Sequence, residues 1–206
     1  AGSPLLRIDQ NQLQVGLEHQ NSLVQAAETI IWVGSSPALG DGARQVWRMD
    51  GLVKVRTVST PVIDRFLAAE GTSISSCSAW MERVSGHLLY VLNLSSANKT
   101  FVYDVDLETW FEWSDPNDVK FAGMAATSLS GLVYIQDATN GRIYTLSPTT
   151  YQDSGSTFTV TIQTDNYDLG TPLRKFCNGI WVSGDNVAQN LAVSYSNDDY
   201  VTFSTA

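Results

Sequence analysis

Residues 88–105 read LLYVLNLSSANKTFVYDV, and this stretch decides the fold. An apolar run with Tyr90 at its centre leads through a polar segment, 95–99, into a second apolar run that contains Tyr103. Aromatic and β-branched side chains favour strands because they pack well across a pleated surface. The stretch therefore predicts two antiparallel strands joined by a turn.

The same pattern occurs once before this stretch and once after it. The central aromatics are Trp32, Tyr90 and Tyr134, at steps of roughly 40 to 60 residues, which is the spacing of propeller blades. In the last copy Asn140-Gly141 lies between the runs, a strong hairpin signal because both residues tolerate positive φ. A plain antiparallel meander is the alternative. The three predicted strand pairs are 30–33 with 46–50, 88–92 with 101–105, and 132–135 with 142–146.

Further strands and one short helix complete the predicted repeats. We expect an upstream strand at 78–83 and another at 121–126, and an outer strand at 110–113. Ser59-Thr60-Pro61 is typical of a helix start, and Gly71 predicts its end. The apolar stripe of this helix consists of Val62, Ile63, Phe66 and Leu67.

The character of the sequence changes after Pro148. Residues 149–156 favour a loop, and the alternating run 158–162 predicts a half-buried strand. Two more strands are predicted at 179–183 and 191–195. The sequence thus predicts an all-β protein with one short helix. Residues 1–148 form about three propeller-blade-like repeats, and 149–206 form an additional antiparallel β layer or a partial sandwich.

Charge and composition exclude several classes of function. The 206 residues include 21 acids and 12 bases, giving a net charge of -9, so a basic DNA-binding groove is not expected. An acidic wall that DNA slides past is compatible with this charge, and so is an acidity that only keeps the protein in solution. No apolar run is long enough to span a membrane. The two cysteines, Cys77 and Cys177, are expected to be reduced, buried thiols.

No residue pattern in the chain is typical of catalysis. His19 and His87 lie in unrelated segments without metal-ligand spacing, and no nucleophile elbow or phosphate-binding glycine loop occurs. We therefore expect no enzyme activity, no catalytic residue, no metal and no cofactor. The acids Asp104, Asp106, Glu108 and Glu112 are interpreted as a solvated sheet edge that discourages strand pairing.

The sharpest local motif lies near the end of the chain, at 196–203. It resembles the Asp-box, a structural hairpin turn of sialidases and related propellers, in which the Asp side chain bonds turn amides. Tyr200 stands where that motif has Gly. The matching residues are Ser196, Asp198, Thr202 and, in place of the usual Trp, Phe203.

Two other classes of function remain as alternatives. A glycan- or receptor-binding β module would expose Trp110 and Trp113 together as a platform. A sialidase-like glycoside hydrolase is the weaker alternative, since it would need three arginines converging in one pocket.

Several motifs in order resemble the tail hub, or nozzle, proteins of short-tailed bacteriophages, also called packaged-DNA stabilisation proteins. The resemblance begins with 13–17, 22–24 and 30–34, and continues through 46–51 into 55–60 and 63–67. Tyr103-Asp104 and Trp110 resemble the following blade. The downstream matches are Thr164, 168–170, Arg174-Lys175 and 196–203.

The resemblance implies a structural virion protein that assembles as a homo-oligomeric, hexameric ring below the portal and adaptor. Such a ring extends the DNA channel, retains packaged DNA until ejection, and docks spike, fibre or needle proteins. DNA passes through it without specific binding, no membrane is involved, and the protein is located in the tail of the virion and in the host cytoplasm during assembly. A propeller typically needs four to eight blades, so three units imply a fragment or domain of a longer protein, with an unusually compact relative as the alternative.

Overall fold

A computed structural model describes residues 14–40, 43–51, 54–70, 77–115 and 117–147. It also describes the shorter stretches 149–150, 152, 155–157, 160–164, 179, 181, 183, 192–198 and 201–205. The chain divides into two compact units, Ala1–Thr159 and Val160–Ala206. The predicted boundary at residue 148 stays a prediction.

The first unit contains three antiparallel sheets, each built from strands that follow one another along the chain. The first sheet contains β1 (Gly16–Leu17), β2 (Val24–Ala26), β3 (Thr29–Ser35), β4 (Gln45–Asp50) and β5 (Lys54–Thr57). The second contains β6 (Cys77–Val84), β7 (His87–Leu94), β8 (Lys99–Asp104) and β9 (Thr109–Trp113). The third contains β10 (Gly123–Leu129), β11 (Leu132–Asp137) and β12 (Ile143–Leu146). The predicted β class with one short helix is confirmed, whereas the division into about three propeller-blade-like repeats stays a prediction.

Both faces of the second sheet are buried, which explains the nearly continuous apolar run in its sequence. Alternation along β7 places Tyr90 and Leu92 on one face and Leu89 and Val91 on the other. The first face packs against the first sheet and the helix, and the second packs against the third sheet. The three sheets therefore stack face to face in chain order, as propeller blades do.

One α-helix, α1 (Pro61–Ala69), connects the first two sheets as predicted. The hydroxyl of Thr60 accepts a hydrogen bond from the amide of Ile63, and Pro61 occupies the first helical position. Ile63 and Leu67 are buried. Val62, which was predicted to belong to the apolar stripe, is 48% exposed. The predicted helix end at Gly71 lies outside the described residues.

The turn of the third hairpin is longer than Asn140-Gly141 alone predicts. Strand β11 ends at Asp137 and β12 begins at Ile143. Gly141 has positive φ, at 68°, whereas Asn140 is not among the positive-φ residues. The carboxylate of Asp137 accepts hydrogen bonds from the amides of Thr139 and Asn140 and so organises a wider turn.

The second unit contains one short antiparallel pair among its described residues, β13 (Ser194–Tyr195) with β14 (Ser204–Thr205). The strand predicted at 158–162 is wrong over 160–162, where Val160 and Ile162 lie outside any strand and are 71% and 85% exposed. An alternating sequence forms a strand only where a neighbouring strand pairs with it and a core buries its apolar side chains. Trp181, in the strand predicted at 179–183, is likewise outside a strand and 98% exposed.

Within the described ranges, none of the helices has the length and the apolar character that crossing a membrane requires.

Candidate functional site

The contacts that hold the three sheets together are the most specific feature of the first unit. Trp110, on β9, donates its indole N–H to the carbonyl oxygen of Val58 over 2.7 Å. Its ring lies 5.0 Å from the ring of Tyr103 on the neighbouring strand. Because Val58 follows β5, this bond connects the second sheet to the first.

An ionic cluster forms a second connection between the first and second sheets. Glu108, in the turn between β8 and β9, binds Arg48 and Arg56, which lie opposite each other on β4 and β5. Arg48 also pairs with Asp50 at 2.8 Å and donates to the carbonyl oxygen of Val105 at 3.1 Å. The hydrogen bond from Arg56 holds the pKa of Glu108 below its ordinary value. The cluster therefore joins two strands of one sheet to a turn of the next.

A buried polar contact connects the helix to the second sheet. The carboxylate of Glu70, directly after α1, accepts hydrogen bonds from the amides of Ser96 and Ala97 at 3.1 and 2.8 Å. Arg44 donates to the carbonyl oxygens of Leu67 and Glu70 at 3.1 and 2.7 Å. These bonds satisfy groups that would otherwise be costly to bury, and they fix the helix end against the turn between β7 and β8.

The second and third sheets meet at the carbonyl oxygen of Gly123. Trp80 donates its indole N–H to this oxygen at 3.2 Å, and Asn93 donates its side-chain amide at 2.8 Å. A Cβ at position 123 would lie 2.4 Å from Phe121 and 2.6 Å from Ile135. The position therefore requires glycine for reasons of space, since the side chains of Phe121 and Ile135 leave no room for a methyl group.

The solvated edge predicted for four acids is wrong for Asp104, which is buried, whereas Asp106, Glu108 and Glu112 are exposed. Asp104 is 4% exposed, and its carboxylate accepts the amides of Asp106 and Leu107. Glu108 belongs to the ionic cluster, and Glu112 pairs with Lys99 at 2.5 Å. The sequence shows that these side chains lie near a strand end, but only the turn geometry gives each its partner.

The Asp-box-like residues form a closed hydrogen-bonded turn in the second unit. Asp198 accepts hydrogen bonds from the amide and the hydroxyl of Thr202 at 2.8 and 2.5 Å, and from the hydroxyl of Ser196 at 2.8 Å. These bonds, the Thr202 hydroxyl first among them, lower the pKa of Asp198 to about 2. Phe203 is 55% exposed, and position 200 lies outside the described residues. The geometry is that of a turn-organising aspartate and offers no reacting group.

The two tryptophans of β9 do not form a common platform. Trp110 pairs with Tyr103 and Trp113 pairs with Thr100, three positions apart on one strand, so the two rings lie on opposite faces of the sheet. Both rings are partly buried, and Trp113 packs within 6.1 Å of Trp80 and 5.4 Å of Phe121. The exposed aromatic pair that a glycan-binding module would need is therefore not present on this strand.

Arg48 and Arg56, which are cross-strand neighbours, are both bound by Glu108. A sialidase-like site needs several arginines free to bind a substrate carboxylate. Across the described residues of the first unit, Arg44 is held apart from this pair by its bonds to the end of the helix. The geometry supports a role in packing for these three side chains.

Two structurally important residues, Gly123 at the contact between sheets and Asp137 in the third hairpin, were not predicted from the sequence. Gly123 is one glycine among fifteen, and the side chain of Ile135 that crowds it lies on the neighbouring strand β11. Asp137 carries a readable signal, since the run Asp-Ala-Thr-Asn-Gly at 137–141, after an apolar run, is typical of an Asp-organised turn.

Comparisons with known proteins add little beyond the fold class. No protein-family model matches the sequence, and no curated protein matches it. Among solved structures, the chain is similar to the crystal structure of TolB from Acinetobacter baumannii, with 14% identity and a TM-score of 0.34. The similarity covers 64% of this chain and 33% of that chain, so the chain spans about a third of that protein. The fold class rests on the strand pairing described above and not on this likeness.

Proposed function

We propose that this chain is a structural part of a bacteriophage tail hub, or nozzle, and that it acts through protein contacts without catalytic turnover. Two lines of reasoning support the proposal: the ordered motifs that resemble tail hub proteins, and the way the sheets are joined. The observation that carries it is the burial of the second sheet on both faces by its neighbours in chain order. A stack of this kind resists shear, which a channel wall under the pressure of packaged DNA requires.

The polar contacts of the first unit are used for holding the stack together. Glu108, Glu70 and Asn93 each bind a neighbouring sheet or turn. Side chains committed to such contacts are typical of a scaffold. In the proposed assembly, the full-length protein forms a homo-oligomeric ring of about six subunits that docks the portal, the adaptor and spike, fibre or needle proteins.

The net charge of -9 supports a channel that DNA passes without binding. In the proposed ring, acidic side chains line the lumen and the phosphates of DNA are repelled from the wall. In this proposal the ring retains DNA by closing the channel, because its acidic wall does not bind the duplex.

The test is a mass measurement and low-resolution imaging of the full-length parent protein. A ring of about six subunits with a central channel supports the proposal, whereas a monomer with a sugar-filled pocket overturns it. A gel-shift titration with duplex DNA at low salt tests the channel surface separately. Binding that weakens steeply with added salt would contradict the acidic lumen.

A further inference from the structure

The start of β7 and the end of β8 bring a histidine and two aspartates together. Leu89 pairs with Asp104 across the two strands, which places His87 and Asp104 at the same end of the sheet. The Nδ1 atom of His87 lies 2.8 Å from a carboxylate oxygen of Asp104. One ligand atom from each of His87, Asp104 and Asp106 lies within 4.8 Å of the others. The chain thus places one imidazole nitrogen and two carboxylate oxygens around a common point.

Both carboxylates are held in fixed orientations by the backbone. Asp104, with a side chain only 6% exposed, uses Oδ1 to accept the amides of Asp106 and Leu107, and it directs Oδ2 toward His87. Asp106 accepts the amide of Leu88 at 2.9 Å. Outer contacts of this kind orient metal ligands and strengthen binding. Reorganisation on binding would therefore be confined to the half-exposed side chains of His87 and Asp106.

We propose that His87, Asp104 and Asp106 bind a divalent transition-metal ion of the zinc type. Mixed imidazole and carboxylate ligands suit zinc better than magnesium or calcium, which prefer oxygen ligands alone. Tetrahedral zinc ligands lie roughly 3.4 Å apart, so His87 Nδ1 and the Asp104 oxygen, now 2.8 Å apart, must separate slightly. The wider separations, which are at most 4.8 Å, must close. Water completes the coordination, since His87 and Asp106 face solvent.

Metal binding replaces the hydrogen bond at Nδ1 of His87 with one at Nε2. In the metal-free chain Nδ1 of His87 faces the carboxylate of Asp104, so a proton on Nδ1 is donated to that carboxylate. With metal bound, Nδ1 and the Asp104 oxygen both face the ion, and the imidazole proton moves to Nε2, where solvent accepts it. No proton is released when His87 starts out neutral. The ion also gives the buried Asp104 carboxylate a full positive charge in place of a neutral donor.

Arg83 is the competing cation at this site. Its guanidinium lies 3.3 Å from Asp106 and is 58% exposed. It also donates to the carbonyl oxygen of Gly86 in the adjoining turn. Because its side chain is exposed, it can move aside at small cost, but its charge opposes the metal. Removing this charge is therefore expected to tighten metal binding, whereas a merely structural network would show no such gain.

The experiment is calorimetric titration of the whole metal-free chain with zinc chloride, together with cobalt(II) absorption to report nitrogen and oxygen ligands. We expect one ion per chain, weakened about tenfold or more by H87A and by D106N. R83Q should tighten binding several-fold. E112Q, which removes an acid paired with Lys99 elsewhere on the sheet, is the matched control and should leave binding unchanged.

Two results would overturn the proposal: no heat or spectral change at millimolar metal, or binding that H87A leaves intact. Thermal unfolding of each variant in the absence of metal verifies that the exposed positions 83, 87 and 106 tolerate the substitutions. The inference does not depend on the proposed role in the phage tail. If zinc does not bind, the ring measurement still tests the proposed role in the phage tail. If the parent protein is monomeric, the titration still tests the metal site.

Discussion

Trp80, on the second sheet, donates its indole N–H to the carbonyl oxygen of Gly123, the first residue of the third sheet. The side chains of Phe121 and Ile135 crowd the same residue, so that a Cβ at position 123 would lie 2.4 and 2.6 Å from them. This relationship makes a position without a side chain one of the most constrained in the molecule.

Gly123→Ala should therefore lower the free energy of unfolding by about 1–3 kcal/mol, because the added methyl group overpacks the contact with Phe121 and Ile135. Urea unfolding followed by tryptophan fluorescence measures the change. Gly16→Ala is the control, since its Cβ would find only ordinary contacts at 3.8 Å or more. Equal losses in both variants would contradict the steric explanation.

Trp110→Phe retains an aromatic ring beside Tyr103 but removes the hydrogen bond to the carbonyl oxygen of Val58. We expect a loss of about 1–2 kcal/mol in unfolding free energy, because a partly buried carbonyl is left without its donor. Trp113→Phe is the matched control, because the indole N–H of Trp113 has no hydrogen-bond partner within the described part of the chain. A larger loss in the control would show that ring packing dominates.

The ionic cluster predicts a defined pH dependence of stability. The pKa of Glu108 is lower in the folded chain than its ordinary value of 4.5, mainly because of the hydrogen bond from Arg56. The unfolded chain therefore binds the proton first as the pH falls, so this contribution is complete above about pH 5 and is lost as the pH drops through the folded pKa. The urea midpoint of Glu108→Gln should consequently fall less steeply between pH 5 and 3 than that of the parent.

Glu28→Gln makes the same change of charge in an exposed turn and serves as the control for that series. Its midpoint should follow the pH dependence of the parent. Because Glu108 is half exposed, added salt should reduce the difference between Glu108→Gln and the parent. A difference that is insensitive to both pH and salt would mean that the carboxylate acts through packing alone.

Burial raises the pKa of the Cys77 thiol to about 12. In a Cys177→Ser background, the folded chain should react with an aromatic disulfide reagent at pH 8 only as fast as the first unit opens. Adding urea above the unfolding midpoint should release full reactivity. Rapid labelling without denaturant would contradict the burial of this thiol between the first and second sheets.

The carboxyl resonance of Asp198 should titrate near pH 2, since the Thr202 hydroxyl and amide stabilise its charged form. Thr202→Val removes the hydroxyl donor and should raise the pKa toward 3.8, while Ser196→Ala should raise it by less. Carbon-detected NMR titration measures both shifts. The order would be reversed if the Ser196 contact were the stronger one.

Part of this architecture follows from the sequence by itself. The runs around Trp32, Tyr90 and Tyr134 predict the three hairpins, and Thr60-Pro61 predicts the helix start, because side-chain alternation and capping are local properties of the chain. Two predictions were wrong because the outcome depended on contacts with residues distant in the sequence. Val160 and Ile162 alternate like a strand but lie outside one, and Asp104 has the sequence of an exposed edge but is buried.

The sequence by itself determined the class of fold and the central strand pair of each sheet, since these depend on hydrophobic pattern and turn chemistry over a few residues. Only the tertiary structure decided the partner of each polar side chain. Residues 87 and 104, or 80 and 123, meet because a register between strands or the stacking of two sheets brings them together. Such contacts depend on packing over the whole unit, and no local pattern of residues encodes them.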